Sequence, residues 1–431
     1  MTTNPFTFGN PIRDPSRFYG RKGDIRQIVN RLLSSAHEST SIVGERRIGK
    51  TSLLCHLSNP VAAAELGLTE DKYCLVYIDF QGLTDITPQR FWQRVLHKMS
   101  RAICDQSLIP TIDGLRKRES FDLFDLEDLF ETINQRGLYI VLFMDEFEYV
   151  TQNPNFGADF FGGLRSLAIH YGLALVTATR RELVDLCHSD EIKGSPFFNI
   201  FANVVLKPFM MADVNELIDG YVEKQLFAFT PDEKAFVLRL GGGHPFFVQM
   251  AGYYIVEVKM QGLRDDLLIA QVTAEFDQQA RTHFEYYWTH CSESEKITLL
   301  SILALSRQKP SKKTTPNIDN LSQLHPRARL DVPPLLRRGL VLEVDGNYEL
   351  LSHSLERWIA REITSAPDEQ ESRKSVDDWL SGGGRENLEP VSGVLPKFKK
   401  KYWPIVGTIL KEMSFEVMGA AALELIVKKL I

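Results

Sequence analysis

The 431 residues predict a layered α/β fold with a parallel sheet, followed by a helical lid, a winged helix-turn-helix and a small α-helical C-terminal module. Three observations carry this reading. Short apolar runs alternate with helical patterns through the first 209 residues, as successive βαβ units require. One run, Leu138 to Met144, is almost continuously apolar, as in a strand covered on both faces. Near residue 345, two β-type runs flank Asp345-Gly346-Asn347, a hairpin signal that follows helices.

The elements follow in order. An irregular stretch, Asn4 to Gly20, leads into a helix pattern from about Asp24 to Ser35, with Ile25, Ile28, Val29, Leu32 and Leu33 on one side. Thr40 to Val43 reads as a strand, as do Cys74 to Asp79, Leu138 to Glu146, Leu173 to Arg180 and Asn203 to Leu206. Helix patterns cover about Pro88 to Cys104, Leu126 to Gln135 and Gly162 to His170. Residues 1–209 thus form the sheet domain with its lead-in. Residues 210–290 are strand-poor and helical, punctuated by Gly241-Gly242-Gly243-His244-Pro245. The winged domain takes 291–365, a polar Gly-containing linker 366–394, and an apolar helical module 395–431.

Composition bounds the function. With 44% hydrophobic and 25% charged residues, the chain is globular rather than disordered. A formal charge of −6 argues against generic polyanion binding. Five cysteines with no CxxC pair argue against a disulfide framework or a Cys-rich zinc site. No secretion signal and no spanning helix is expected, so the expected location is cytoplasmic.

The chemistry concentrates in one motif. Gly44 to Thr51, GERRIGKT, fits GxxxxGK[ST] after a β run and before a helix. Backbone N–H groups of such a loop face phosphates, and the next helix offers its positive end. The candidate contacts are Gly44, Glu45, Arg46, Arg47, Ile48, Gly49, Lys50, Thr51 and Ser52. Lys50 can reach the β- and γ-phosphates, and the Thr51 hydroxyl can ligate Mg²⁺, which makes ATP or ADP with Mg²⁺ the expected ligand. The buried strand ends in Asp145-Glu146, placing carboxylates at the sheet edge where ligands bind. Asp145 is expected to hold Mg²⁺, directly or through water, and Glu146 to orient or deprotonate attacking water. The next strand ends in Thr179-Arg180-Arg181. Arg180, with Arg181 as its competitor, is the candidate γ-phosphate sensor.

Together these residues resemble the STAND class of P-loop ATPases, AAA+ relatives that include the NACHT and NB-ARC regulators. Phe18-Tyr19-Gly20-Arg21-Lys22-Gly23-Asp24 is similar to the lead-in that in this group lies against the adenine, which makes Tyr19, Gly20 and Arg21 implied contacts. Gly243-His244-Pro245 resembles the GxP motif of the lid, whose proline touches the base, implicating Pro245. Ser352-His353-Ser354 resembles the MHD element of the winged domain, whose histidine, here His353, meets the ADP β-phosphate. Ser354 departs from the Asp of that element, and no repeat array follows. The resemblance implies an ADP-closed, ATP-open switch with slow hydrolysis and homo-oligomerisation on activation, serving bacterial defence or stress signalling through a trigger or effector protein. A plain helix–helix turn would account for the Gly-rich cluster as well.

Two rival functions remain at this level: an origin-recognition-like DNA-binding AAA+ ATPase, and a nucleotide-binding scaffold without turnover. Arg307, Lys309, Lys312, Lys313, Arg327, Arg329, Arg337 and Arg338 give the winged region a basic side that could meet DNA, although an internal latch would also suit it. The basic-aromatic stretch Lys397 to Trp403 and the apolar segment behind it could rest on a membrane surface or form a partner-docking bundle.

Overall fold

The computed structural model describes residues 3–189, 196–223, 228–306 and 315–364. The linker and C-terminal module expected over 366–431 lie outside these residues, as do Arg307, Lys309, Lys312 and Lys313. Two compact units form, Met1–Phe229 and a second beginning at Thr230.

The first unit is built on a five-stranded sheet of β1 (Thr40–Val43), β2 (Tyr73–Asp79), β3 (Tyr139–Asp145), β4 (Leu173–Thr179) and β5 (Ala202–Val205). The strand order is β2-β3-β4-β1-β5 and every pairing is parallel. The helices are α1 (Lys22–Leu32), α2 (Lys50–Leu57), α3 (Pro60–Glu65), α4 (Pro88–Ala102), α5 (Ile109–Arg116), α6 (Leu123–Asn134), α7 (Glu148–Thr151), α8 (Ala158–His170) and α9 (Met211–Val222). Local chemistry sets their starts. Thr87 caps α4 ahead of Pro88, and Asp122 with Asp125 forms a capping box on α6.

The continuous apolar run of β3 has a simple cause: both of its faces are covered. Ile140, Leu142 and Met144 enter a core with Phe91, Val95, Phe130 and Phe161. Val141 and Phe143 enter the opposite core with Ile28, Leu53, Leu54 and Val176. Burying such side chains contributes roughly 1.5–3 kcal/mol each. The sheet is therefore rigid, and its carboxyl edge is a stable platform.

The second unit contains α10 (Pro231–Gly241), α11 (Pro245–Met260), α12 (Asp265–Thr289), α13 (Glu293–Ser306), α14 (Ile318–Leu324), α15 (Ala328–Arg337), the strands β6 (Val341–Val344) and β7 (Asn347–Leu350), and α16 (His353–Thr364). The hairpin is antiparallel, with Val344 opposite Asn347. Asp345 and Gly346 both have positive φ, 50° and 73°, as a two-residue hairpin turn of the primed type requires. The hairpin follows the helices α13, α14 and α15 and precedes α16. Three helices of the second unit are pinned by one carboxylate. Asp331 Oδ2 accepts from Ser294 Oγ at 2.6 Å, Thr298 Oγ1 at 2.8 Å and His325 Nε2 at 3.1 Å.

Candidate functional site

Gly44 to Thr51 joins the end of β1 to α2. Gly44 N–H donates to the Thr179 carbonyl at 3.2 Å, which ties the loop to the end of β4. A Cβ at Gly44 would come within 2.8 Å of the Ile48 side chain, so the turn demands glycine there. Arg47 and Gly49 have φ of 65° and 104°, left-handed conformations of the kind that lets successive backbone amides face an anion. Nothing lies within 4 Å of a Cβ built on Gly49, so that side of the loop is open.

Lys50 is the first residue of α2 and is buried. Its Nζ donates to the carbonyls of Gly44 at 2.8 Å and Glu45 at 3.2 Å, curling the side chain over its own loop. Burial lowers its pKa, opposed by Glu146, Glu148, Asp145 and Glu45. A buried ammonium surrounded by a loop of amides suits a polyanion.

Opposite it stands Asp145 at the end of β3, 1% exposed. Its Oδ1 accepts the Glu146 N–H at 3.1 Å, and its Oδ2 accepts the Tyr77 hydroxyl at 3.0 Å. Burial raises the Asp145 pKa, while hydrogen bonds from Thr51 and Tyr77 pull it back. Glu146 follows with φ 51°, a strained conformation for a residue with a side chain. Its pKa is raised by burial and then by the neighbouring Glu148.

Glu148 is the residue that sequence reading passed over. It is buried, and its Oε1 accepts from Arg180 Nε at 3.0 Å, while Arg180 Nη2 stands 3.8 Å from Glu146 Oε2. Its Oε2 is buried without a hydrogen-bond partner among the described residues. Three acids within four positions, Asp-Glu-Phe-Glu, were the available signal. Arg181 is exposed. Arg180 is therefore the arginine held against the acids.

The lead-in braces the loop. Arg21 is buried, and its guanidinium donates to the carbonyls of Ile48 at 2.8 Å and Lys207 at 2.6 Å and covers the Phe209 ring. It also meets the Asp24 carboxylate at 3.4 Å, and its two shorter hydrogen bonds, both to backbone, hold the phosphate loop to the segment after β5. Tyr19 is half-buried, with its ring edge-on to Tyr221 and against Gly220. Gly20, with φ 76°, sits under Phe209. Arg47 donates to the Phe8 carbonyl and Ser52 Oγ accepts from Ile12 N–H, so residues ahead of Gly20 are stitched onto the loop and α2. Glu45 is buried and accepts the Arg46 N–H at 2.9 Å.

Pro245 and His353 belong to the second unit. Pro245 opens α11 after Gly242 and Gly243, both with positive φ. A Cβ on Gly242 would overlap the Leu351 carbonyl, so the turn before Pro245 packs on the segment before His353. His353 is the exposed first residue of α16. Ser354 accepts from Arg357, whose fork holds Asp277 of α12 at 2.9 and 2.8 Å. Of the described basic residues in the winged region, Arg338 turns inward to the carbonyls of His290 and Tyr287 and Arg329 pairs with Asp319, while Arg327 and Arg337 are exposed.

The residues of the first unit fit a magnesium nucleotide. The loop amides and Lys50 would hold its phosphates, and Thr51 and Asp145 its metal. When bound, the Mg²⁺ would neutralise phosphate charge. Among the described residues, no helix is long and apolar enough to cross a membrane.

Distant solved structures resemble this chain. The Walker-type ATPase PABY2304 of Pyrococcus abyssi is 14% identical, matches over 81% of this chain and 98% of its own, and superposes with a TM-score of 0.50. The ORC2 protein of Aeropyrum pernix, in its ADPNP–ADP complexes, is 15% identical over 84% of this chain and 99% of its own, with a TM-score of 0.48. No curated protein matches the chain. The family described as Novel STAND NTPase 2 matches residues 27–307, which include the phosphate loop, the acids, Arg180 and Pro245, and the chain belongs to that family.

Proposed function

We propose that this protein is an ATP-operated switch that binds ATP or ADP with Mg²⁺ and hydrolyses ATP slowly. The observation that supports it best is the meeting of Lys50, Thr51, Asp145, Glu146 and Arg180 at the carboxyl edge of one parallel sheet. Lys50 and the loop amides bind the phosphates, and Asp145 with Thr51 positions the metal. Glu146 takes the proton of the attacking water or orients it. Arg180 leaves Glu148 to meet the charge that develops on the γ-phosphate. The ADP form is the closed one, and ATP opens it toward homo-oligomers in defence or stress signalling. The test is calorimetric titration with ADP and ATP, joined to light-scattering size measurement with ADP and with a non-hydrolysable ATP analogue. Micromolar nucleotide binding abolished by Lys50→Ala, and a larger species with the analogue alone, are expected. No binding, or an equal size in both nucleotides, overturns the reading.

A further inference from the structure

We infer that Tyr77 is a positioning residue for Asp145, fixing that carboxylate in the single orientation in which it can serve Mg²⁺. The inference rests on the magnesium-nucleotide reading above and adds to it a residue outside the phosphate loop and the acidic strand end.

Tyr77 lies on β2, next to β3. In the register of the two strands Tyr77 faces Phe143 and Asp79 faces Asp145. Side chains alternate along a strand, so Tyr77, Asp79, Phe143 and Asp145 share one face of the sheet. That face is the one covered by α2, and the Tyr77 ring packs into the same core as Phe143, Leu53 and Leu54. The phenol reaches along the sheet toward the carboxyl edge and places its hydroxyl 3.0 Å from Asp145 Oδ2. A half-buried phenol requires a partner for its hydroxyl, and here the partner is the carboxylate itself.

An ionised carboxylate has about four acceptor positions. At Asp145 one is filled by the Glu146 amide and one by Tyr77. These two hold opposite oxygens, so rotation of the carboxylate would break both. Thr51 and Cys55, four positions apart, stand on one face of α2, the helix that covers this side of the sheet. A hydroxyl that merely satisfied a buried carboxylate would stabilise the fold equally with or without metal. A positioning hydroxyl acts on the metal-dependent part of binding.

Tyr77→Phe removes only the hydroxyl. The full chain is titrated with a fluorescent ADP analogue, first in EDTA and then across a Mg²⁺ series. The expected result is a Mg²⁺ midpoint raised about tenfold, since a hydrogen bond to a charged group is lost. Affinity in EDTA and the melting temperature without metal stay within about twofold and about 2 °C of wild type. In an Asp145→Asn background the same substitution should add nothing. An unchanged midpoint, an equal loss in EDTA, or full additivity with Asp145→Asn overturns the inference. A wild-type protein whose ADP affinity ignores Mg²⁺ overturns the magnesium-nucleotide reading itself, and this failure is visible before any substitution is made.

Discussion

Asp331→Ala tests how the helices ahead of the β6–β7 hairpin are held. Asp331 Oδ2 gathers Ser294, Thr298 and His325, which join α13, the end of α14 and α15. Ser and Asp both meet the same imidazole nitrogen, Nε2, so the three side chains are a structural clamp and not a hydrolase triad. Thr298, His325 and Asp331 are 0%, 1% and 6% exposed, so water cannot replace the lost acceptor. At about 1 kcal/mol for each of the three hydrogen bonds lost, the loss is about 3 kcal/mol. For a unit of this size that corresponds to a fall of roughly 10 °C in melting temperature. Asp331→Asn, which keeps one oxygen, should lose about half as much. The pH dependence has a definite sign. Burial raises the Asp331 pKa, but the hydrogen bonds from His325, Ser294 and Thr298 outweigh it and hold the carboxyl below its ordinary value. Stability from this carboxylate is therefore complete above the ordinary carboxylate range and is lost as the pH falls through the lower folded value. The gap between wild type and Asp331→Ala should close below about pH 4. Calorimetry from pH 7 to pH 3 measures it. A shift under 2 °C at pH 7, or a gap that persists unchanged at low pH, would refute the assignment.

Further outcomes follow from other contacts. Glu148→Gln should cut ATP turnover at least tenfold yet leave ADP affinity within about twofold, since Glu148 holds Arg180 and does not line the loop; equal losses in both assays would contradict this. Arg357→Lys should destabilise the second unit by about 2–3 kcal/mol in denaturant melts, because a lysine cannot reproduce the two-pronged grip on Asp277, and a neutral effect would count against that grip. Gly242→Ala should expose the second unit to limited proteolysis, since the added methyl overlaps the Leu351 carbonyl at a residue with φ 62°; wild-type resistance would show that the turn can relax. Iodoacetamide near pH 8 should label the exposed Cys104 first and Cys74 last, because burial pushes the Cys74 thiol up to about 12; mass spectrometry of the time course decides.

What could be read from the sequence was whatever is local along the chain. The five strands fall within a residue or two of their expected places because an apolar run covered on both faces is a local pattern. Helix α8 begins at Ala158, ahead of the expected Gly162, because Gly162 and Gly163 sit inside it, where Gly163 packs on Leu123. The phosphate loop was legible because its glycines answer to backbone geometry within eight residues. The partners of Asp145 were not. Tyr77 is 68 positions away and resembles any strand aromatic until β2 is known to pair with β3 in a specific register. Arg21 shows the same limit from the other side. Its motif position pointed to the adenine, and what the sequence did not show is that its hydrogen bonds reach Ile48 and Lys207, the latter 186 positions distant. Such distances make Arg21 and Tyr77 the two ends of one mechanical arrangement. Arg21 fixes where the phosphate loop stands relative to the sheet, and Tyr77 fixes which way the carboxylate beside it points. A loop that is preorganised on both counts has less reorganisation to undergo when it binds, so under the proposed function these braces would contribute to selectivity for a metal-bound polyphosphate alongside the residues of the motif.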